Sequence, residues 1–462
     1  MYGKLKIEHQ MLVHFSVSNF SSIKDETVLS MIPAKSRNMK DHIITDIEGK
    51  KIQVLPVACI YGANASGKTN FIKAIEFAQA LITVGTKPNS SIGIISHLLD
   101  PIEEVKPSRF EFVFKHDHVL YTYGFVIDKK TVLEEWLFAY YTSQESKIFE
   151  RITKNDKTKV FPGARLKEGN GEKFLKYVEK GTRLNQLFLT EAIEKNIEIL
   201  KPVFHWFQEH LVVVRPDYRY ISLTKRVSEE KDFEVFLADF LRLADTGISN
   251  IHVQKEKFDT DTHLRNMPDN LKEKLLSDLL SDDSKEVFIQ GSSETFIVRK
   301  DKDAQTDRDL TYLRLQTEHL KTDGTHICFD PAVESDGTKR LMDLAPMLFD
   351  VWDRERVYVI DELDRSLHTF LSRLFLQMCV SRDHDKKSFG QFILTTHDTN
   401  LLDRSLLRKD EIWFMEKDRD GASHLTSLMD YKVSDGLNYE NGYLNGRFGA
   451  IPLVKNWKEI FH

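Results

Sequence analysis

The sequence predicts an α/β fold that combines a mixed sheet, an antiparallel β subdomain and an inserted helical lobe. A nearly continuous apolar run at residues 54–61 leads into a glycine-rich loop and then into a helical pattern. Alternating apolar residues follow between residues 109 and 142, and residues 172–283 place apolar side chains at helical spacing. The succession of strand, glycine loop and helix is typical of an α/β sheet with a buried central strand.

Short-range patterns divide the chain into three parts. Residues 109–114, 119–127 and 132–141 alternate in polarity and are separated by short turns, which predicts an antiparallel meander. The polar stretch at residues 258–284 is either a mobile linker or an exposed helix pair. We therefore predict an N-terminal lobe at residues 11–171, a helical insertion lobe at residues 172–284 and a C-terminal lobe at residues 285–462.

The composition is that of an ordinary globular protein. The chain has 462 residues, of which 41% are hydrophobic and 29% are charged, and this suits two or three domains. Its 65 basic and 71 acidic residues give a formal charge of −6, which excludes a uniformly basic nucleic-acid coat but not a local basic groove. The three scattered cysteines and the lack of a long apolar run predict a cytoplasmic protein with no membrane partner.

Residues 62–69 match the phosphate-binding pattern GxxxxGK[ST] and lie between the predicted buried strand and helix. Glycines allow the backbone torsions that turn several N–H groups towards one anion, and the helix start adds its positive dipole end. A chance glycine turn is the alternative, and the flanking strand and helix argue against it. The motif predicts ATP or GTP binding, with Lys68 on the β- and γ-phosphates and the Thr69 hydroxyl on Mg²⁺. The expected nucleotide-binding residues here are Gly62, Ala63, Asn64, Ala65, Ser66, Gly67, Lys68 and Thr69.

A second apolar strand, at residues 356–360, ends in Asp361 and Glu362. Ligands of open α/β sheets bind at the carboxyl ends of the strands. Asp361 is therefore the expected Mg²⁺ ligand, and Glu362 is expected to orient and deprotonate the attacking water. Without the phosphate loop, two acids at a strand end would merely indicate a solvated terminus.

A third apolar strand, at residues 389–394, ends in Thr395, Thr396 and His397. A histidine at a sheet edge beside a phosphate site can contact the γ-phosphate and report its presence. The alternative is a histidine that caps a helix at residues 399–407. We assign catalytic roles to Lys68, Glu362 and His397.

The segment from Ser335 to Thr338 precedes an apolar helical pattern at residues 341–352. Ser335 is a plausible N-cap, and a helix start attracts anions. Taken alone, the segment is only the start of a helix. Its position between the glycine loop and the acidic strand suggests a second phosphate contact through Ser335, Asp336, Gly337 and Thr338.

The order of these four motifs resembles the ABC-type ATPase head shared by the SMC, Rad50 and RecF proteins. The resemblance implies that ATP is sandwiched between two copies of the chain, with Ser335–Thr338 of one copy closing on the phosphates held by the other. The sequence Ser-Asp-Gly-Thr departs from the usual Leu-Ser-Gly-Gly signature of that family. Asp361 and Glu362 match its Walker B pair, and His397 matches its switch histidine.

Several phrases resemble more narrowly the bacterial AAA/ABC-type ATPases of phage-defence operons, the RloA or AbiLi group, with relatives in the OLD, Septu and PARIS systems. The phrases begin at Asn19, Cys59, Ala244, Asp361 and Tyr443. The resemblance implies an ATP- and Mg²⁺-dependent dimerisation switch that regulates a nuclease or toxin partner. Two alternatives remain: a RecF-like ATPase that clamps DNA in repair or replication, and a scaffold that binds ATP and holds an effector without appreciable hydrolysis.

Overall fold

The computed structural model describes residues 10–36, 39–45, 52–97, 99, 106–265, 267–280, 286–290, 295–300, 310–351, 355–381, 390–433 and 436–451. The chain divides into two compact units. The first unit comprises residues 1–216, 350–364 and 372–462, and the second comprises residues 217–349 and 365–371. Both units combine helices with sheets, which confirms the predicted α/β class.

The elements of the described residues are numbered in chain order. The strands are β1 (Met11–Ser18), β2 (Thr27–Ser30), β3 (Ile44–Thr45), β4 (Gln53–Val54), β5 (Val57–Tyr61), β6 (Ser108–His116), β7 (Val119–Ile127), β8 (Val132–Tyr140), β9 (Ser146–Lys154), β10 (Lys157–Pro162), β11 (Leu211–Val214), β12 (Ile248–Lys257), β13 (Glu286–Gln290), β14 (Thr295–Lys300), β15 (Leu310–Leu320), β16 (His326–Phe329), β17 (Val357–Ile360), β18 (Gln391–Thr396), β19 (Ile412–Lys417) and β20 (Ser423–Ser427). The α-helices are α1 (Lys68–Thr83), α2 (Ala164–Asn170), α3 (Glu172–Gly181), α4 (Phe188–Glu194), α5 (Lys201–His205), α6 (Leu223–Glu229), α7 (Lys231–Leu243), α8 (Thr260–His263), α9 (Asp269–Leu280), α10 (Asp336–Asp350), α11 (Thr369–Val380) and α12 (Tyr439–Leu444).

The mixed sheet of the first unit brings the ends of several strands to one edge. Within the described residues its order is β11-β17-β18-β5-β19-β20. The strands from β11 to β19 are parallel, and β20 closes the sheet antiparallel to β19. Every side chain of β5, β17 and β18 is buried, as their continuous apolar runs predict for central parallel strands. The carboxyl ends of these strands therefore meet at a common edge.

A seven-stranded antiparallel sheet packs against the helix that follows β5. Its order within the described part of the chain is β10-β9-β8-β7-β6-β1-β2, so the predicted meander is confirmed and extended on both sides. The ring of Phe15 on β1 contacts Phe71 of α1 edge-on, with centroids 5.4 Å apart. Phe71, Ile75 and Ala78 of α1 are fully buried, as their helical spacing predicts. This packing fixes the helix that begins at the phosphate motif.

The second unit differs from the predicted helical lobe at residues 172–284. The helices between residues 172 and 205 belong to the first unit, and β11 is an edge strand of its parallel sheet. The physical reason is the apolar run Leu-Val-Val-Val at residues 211–214, whose β-branched side chains favour a strand and end the helical pattern. The structural boundary therefore lies at Asp217.

The second unit has its own antiparallel sheet. In the residues described there, the order is β12-β15-β14-β13, with β16 paired to β15. The polar stretch predicted as a linker or a helix pair forms α8 and α9, with Leu264 and Leu279 buried against Phe296 and Tyr312. A sequence that alternates between helices and strands over residues 217–349 thus forms a compact α/β unit rather than a purely helical one.

Two further observations complete the fold. The helix predicted at residues 399–407 is wrong: only residues 399–401 form a single 3₁₀ turn, capped by the Asp398 side chain, which accepts a hydrogen bond from the backbone N–H of Asn400. Asp403 ends the pattern, because its side chain accepts hydrogen bonds from both the backbone and the hydroxyl of Ser405. None of the helices in the described residues combines the length and the apolar character needed to cross a membrane.

Candidate functional site

The loop between β5 and α1 requires glycine at two positions. Gly67, the residue before α1, has φ 115°, and a Cβ at this position would lie 2.2 Å from the Ser423 hydroxyl oxygen. A Cβ on Gly62 would lie 2.3 Å from the Met415 carbonyl oxygen. Both glycines of the motif are therefore required by close packing against the neighbouring hairpin. No side chain caps the start of α1, so its first N–H groups remain suited to an anion.

Lys68 is buried at the base of this loop. Its ammonium donates hydrogen bonds to the carbonyl oxygens of Gly62, at 2.6 Å, and Ala63, at 3.1 Å. Burial lowers the pKa of Lys68 to about 8, while the negative charge of Asp361 acts in the opposite direction. The side chain is thus still mostly charged at neutral pH and is held against the loop that carries the glycine-rich motif.

The two acids after β17 occupy different environments. Asp361 is 2% exposed, and its Oδ1 accepts a hydrogen bond from the Thr395 hydroxyl at 2.6 Å. Glu362 is half-buried, has φ 51° and donates its backbone N–H to the same hydroxyl oxygen at 2.7 Å. Thr395, at the end of β18, therefore ties the two acidic residues to the neighbouring strand. The left-handed backbone at Glu362 is a strained conformation of the kind that occurs at functional sites.

His397 lies next to Lys68. Its Nδ1 is 3.4 Å from the Lys68 ammonium, and its backbone N–H donates to the Asp364 carboxylate at 3.2 Å. Partial burial, followed by the positive charge of Lys68, lowers the pKa of His397. The imidazole is therefore neutral at pH 7, and its Nδ1 lies within hydrogen-bond distance of the Lys68 ammonium.

These groups surround one cleft with a volume of about 420 Å³. The cleft is lined by residues 64–70 of the loop together with Glu362, His397 and Lys417. The Ser66 hydroxyl is buried there and has no hydrogen-bond partner among the described residues. An unsatisfied buried hydroxyl is costly, so a phosphate oxygen in the cleft would complete its hydrogen bonding. Asp361 does not line the cleft, whereas Glu362 does.

The predicted second phosphate contact belongs to the second unit. The Ser335 hydroxyl accepts the backbone N–H of Thr338 at 3.1 Å, which confirms Ser335 as the N-cap of α10. The helix begins at Asp336, five residues before the predicted start. A Cβ on Gly337 would lie 2.7 Å from the Ser366 carbonyl oxygen, so close packing requires a glycine here as well. Asp336 is exposed and pairs with Lys339 at 3.1 Å.

Sequence reasoning missed several residues that hold the loop in place. The Ser423 hydroxyl donates to the Ser66 carbonyl at 2.7 Å, and the Ala450 carbonyl accepts the Ala63 N–H at 2.8 Å. Lys417, which lines the cleft, also had no predicted role. The only sequence signal for Lys417 was its place two residues after the apolar run at residues 412–415, a position similar to those of Asp361 and His397 after their strands.

Thr69 and Asp361 offer oxygen donors for Mg²⁺, and of the two only Thr69 lines the cleft. The Thr69 hydroxyl and the Asp361 carboxylate are hard oxygen ligands, and Mg²⁺ in nucleotide sites takes one or two such protein ligands together with phosphate oxygens and waters. The negative charges of Asp361, Asp364 and Glu362 all raise the pKa of Lys68 against the effect of its burial. The residues present therefore fit a magnesium nucleotide.

Comparison with known proteins gives a family and several structural relatives. A family model described as "AAA domain, putative AbiEii toxin, Type IV TA system" matches residues 57–403. No curated protein sequence matches the chain. The SMC head bound to the C-terminal winged-helix domain of ScpA is 14% identical and has a TM-score of 0.38, with 90% of this chain and 97% of that chain covered.

Two further solved structures are similar at the same level. The SMC head domain from Thermotoga maritima is 12% identical and has a TM-score of 0.33, with 90% of this chain and 98% of that chain covered. The recombination mediator RecF with ATP is 14% identical and has a TM-score of 0.32, with 91% and 100% covered. The family match extends from β5, directly before the phosphate loop, past His397 and covers about three quarters of the chain. The chain belongs to this AbiEii-type AAA domain family of ATPases.

Proposed function

We propose that the chain binds ATP with Mg²⁺ in the cleft above α1 and hydrolyses it to ADP and phosphate. The observation that carries the proposal is the convergence of Lys68, Glu362 and His397 on one cleft from three different strand ends. Phosphoryl transfer needs positioned charge more than covalent chemistry, and these three side chains supply a cation, a base and a hydrogen-bonding group.

In the proposed reaction the loop N–H groups and Lys68 bind the phosphate chain. Glu362 accepts a hydrogen bond from a water and takes its proton as the water oxygen attacks the γ-phosphorus. The bond between the γ-phosphorus and the bridging oxygen breaks, and ADP leaves. His397, which lines the cleft, would form a hydrogen bond with a γ-phosphate oxygen. Mg²⁺ bound by Thr69 and Asp361 would neutralise negative charge on the phosphates.

The direct test is phosphate release by the purified protein. With ATP and Mg²⁺ the protein should release inorganic phosphate, and excess EDTA should stop the release, because ATP without the metal keeps its full negative charge. A spectrophotometric phosphate assay with and without EDTA measures both. Absence of phosphate release in Mg²⁺, or release that is unchanged by EDTA, would contradict the proposal.

We further propose that ATP joins two copies of the chain, with Ser335–Thr338 of one copy facing the phosphates held by Lys68 of the other. The start of α10 supports this role, since Gly337 brings the backbone close to its neighbours and the positive end of the helix dipole favours an anion, although the Thr338 N–H already donates to the Ser335 hydroxyl. ATP binding would close the pair and hydrolysis would open it, which makes the chain a nucleotide-driven switch.

The biological role that we propose is regulation of a nuclease or toxin partner in an anti-phage system of the RloA type. The description of the family, which names the AbiEii toxin and type IV toxin–antitoxin systems, supports this role. Phage should form fewer plaques on cells that carry the gene with its genomic neighbours than on cells that carry the same genes with the Glu362→Gln change. Equal plaque numbers for the two strains across a phage panel would count against a defence role.

A further inference from the structure

The strand β19 continues past the end of β5, and it lies on the side of β5 away from the strand that carries the acidic residues. In the sheet, β18 and β17 lie on one side of β5, and β19 and β20 lie on the other. The pairing of β19 with β5 ends where Phe414 faces Tyr61, at the end of β5. The last three residues of β19 therefore run alongside the loop, and Lys417, the last of them, lines the cleft.

The backbone of Lys417 is attached firmly to the loop. Lys417 pairs with Ser423 across the β19–β20 hairpin. The Ser423 hydroxyl donates to the Ser66 carbonyl at 2.7 Å, and the Ser423 N–H donates to the Ser22 carbonyl at 2.7 Å. The close approach of the Met415 carbonyl to Gly62 fixes the hairpin at a second point. The hairpin and the loop thus form one structure, and Lys417 keeps its place at the cleft.

The ammonium of Lys417 is available for a ligand. Among the described residues Lys417 makes no ion pair, although Asp418 follows it directly. One Asp418 oxygen accepts the N–H groups of Asp420 and Ala422, each at 2.9 Å, and the other lies 2.8 Å from His424 Nε2. These contacts, and most of all the hydrogen bond with His424, lower the pKa of Asp418 and hold its carboxylate in the turn. A lysine at a phosphate-binding cleft without a carboxylate partner favours an anionic ligand.

We propose that Lys417 is a nucleotide-binding residue that contacts the phosphate chain near the nucleoside rather than at the γ-phosphate. The inference rests on the proposed function, because the γ-phosphate must lie on the side of β17 and β18 for Glu362 to reach the attacking water. Lys417 approaches from the opposite side of β5. A cation there binds the phosphates that ATP and ADP share, so it strengthens the binding of both nucleotides and takes no part in bond cleavage.

The test compares nucleotide affinity and turnover in matched variants. Dissociation constants for Mg²⁺–adenylyl imidodiphosphate and Mg²⁺–ADP are measured by calorimetry for the wild type, Lys417→Ala, Lys417→Arg and Arg419→Ala. Lys417→Ala should weaken both nucleotides by a similar factor, about tenfold, and leave kcat at saturating ATP unchanged. Lys417→Arg should retain most of the affinity. Arg419→Ala, which removes the same charge two residues further along the hairpin and outside the cleft lining, should match the wild type.

Each other outcome overturns the inference. Unchanged affinity in Lys417→Ala would show that the ammonium does not contact the nucleotide. If Lys417→Ala weakened the binding of the triphosphate analogue alone, or lowered kcat, Lys417 would lie at the γ-phosphate instead. A wild-type protein that binds neither nucleotide would overturn the proposed function together with this inference, whereas normal binding by both the wild type and Lys417→Ala overturns the inference alone.

Discussion

Glu362→Gln should lower the rate of ATP hydrolysis by at least about 100-fold, the usual contribution of a positioned general base. Glutamine has nearly the same shape as glutamate but cannot accept a proton from the attacking water. The backbone N–H of residue 362 donates to the Thr395 hydroxyl, and the change leaves this hydrogen bond intact. We therefore expect the variant to fold normally and to bind ATP as the wild type does.

The measurement needs three proteins in the same phosphate-release assay. Glu168→Gln is the matched control. It is the same chemical change, and Glu168 is exposed on α2, far along the chain from the cleft residues. Calorimetry with ADP checks that the Glu362→Gln cleft still binds nucleotide. If Glu362→Gln hydrolyses ATP at the wild-type rate, the base assigned to the reaction is wrong.

The parts of the site that the sequence predicts are those encoded locally. The phosphate loop, the acid pair and His397 each follow directly after an apolar strand, so a short segment specifies both the strand and the residue at its end. Parallel strands bring their carboxyl ends to the same edge. The sequence therefore predicts that Lys68, Glu362 and His397 meet, and the structure places all three at one cleft.

The parts that the sequence does not predict depend on contacts between distant segments. Lys417 and Ser423 reach the loop only because β19 pairs with β5, some 350 residues earlier in the chain. The role of Thr395 depends on the pairing of β18 with β17. None of these pairings follows from local periodicity, which reports only that a segment is a strand.

The position of the domain boundary likewise depends on contacts that local periodicity does not report. The run of residues 211–214 is too short to identify as a strand within a helical region by periodicity alone. The run forms a strand because it is partly buried and pairs with β17, and a parallel partner satisfies the backbone groups of both strands. The boundary predicted at residue 172 consequently differs from the structural one at Asp217.

ATP should assemble Glu362→Gln into a dimer, and this is the second large effect that we expect. Without hydrolysis the triphosphate stays in place, and its γ-phosphate can be held by Lys68 of one copy and by the capped start of α10 of the other. Asp336 is the feature of α10 least suited to this contact, and its pairing with Lys339 offsets its charge. Ser335→Arg is the matched variant: it should keep ATP binding at Lys68 but prevent assembly, because a bulky side chain replaces the cap.

Sedimentation velocity of the Glu362→Gln protein, with and without Mg²⁺–ATP, tests the central claim most directly. We predict a monomer without nucleotide, a species of twice the mass with ATP, and a monomer with ATP when Ser335→Arg is added. A Glu362→Gln protein that is saturated with ATP and still sediments as a monomer at high concentration would contradict the account.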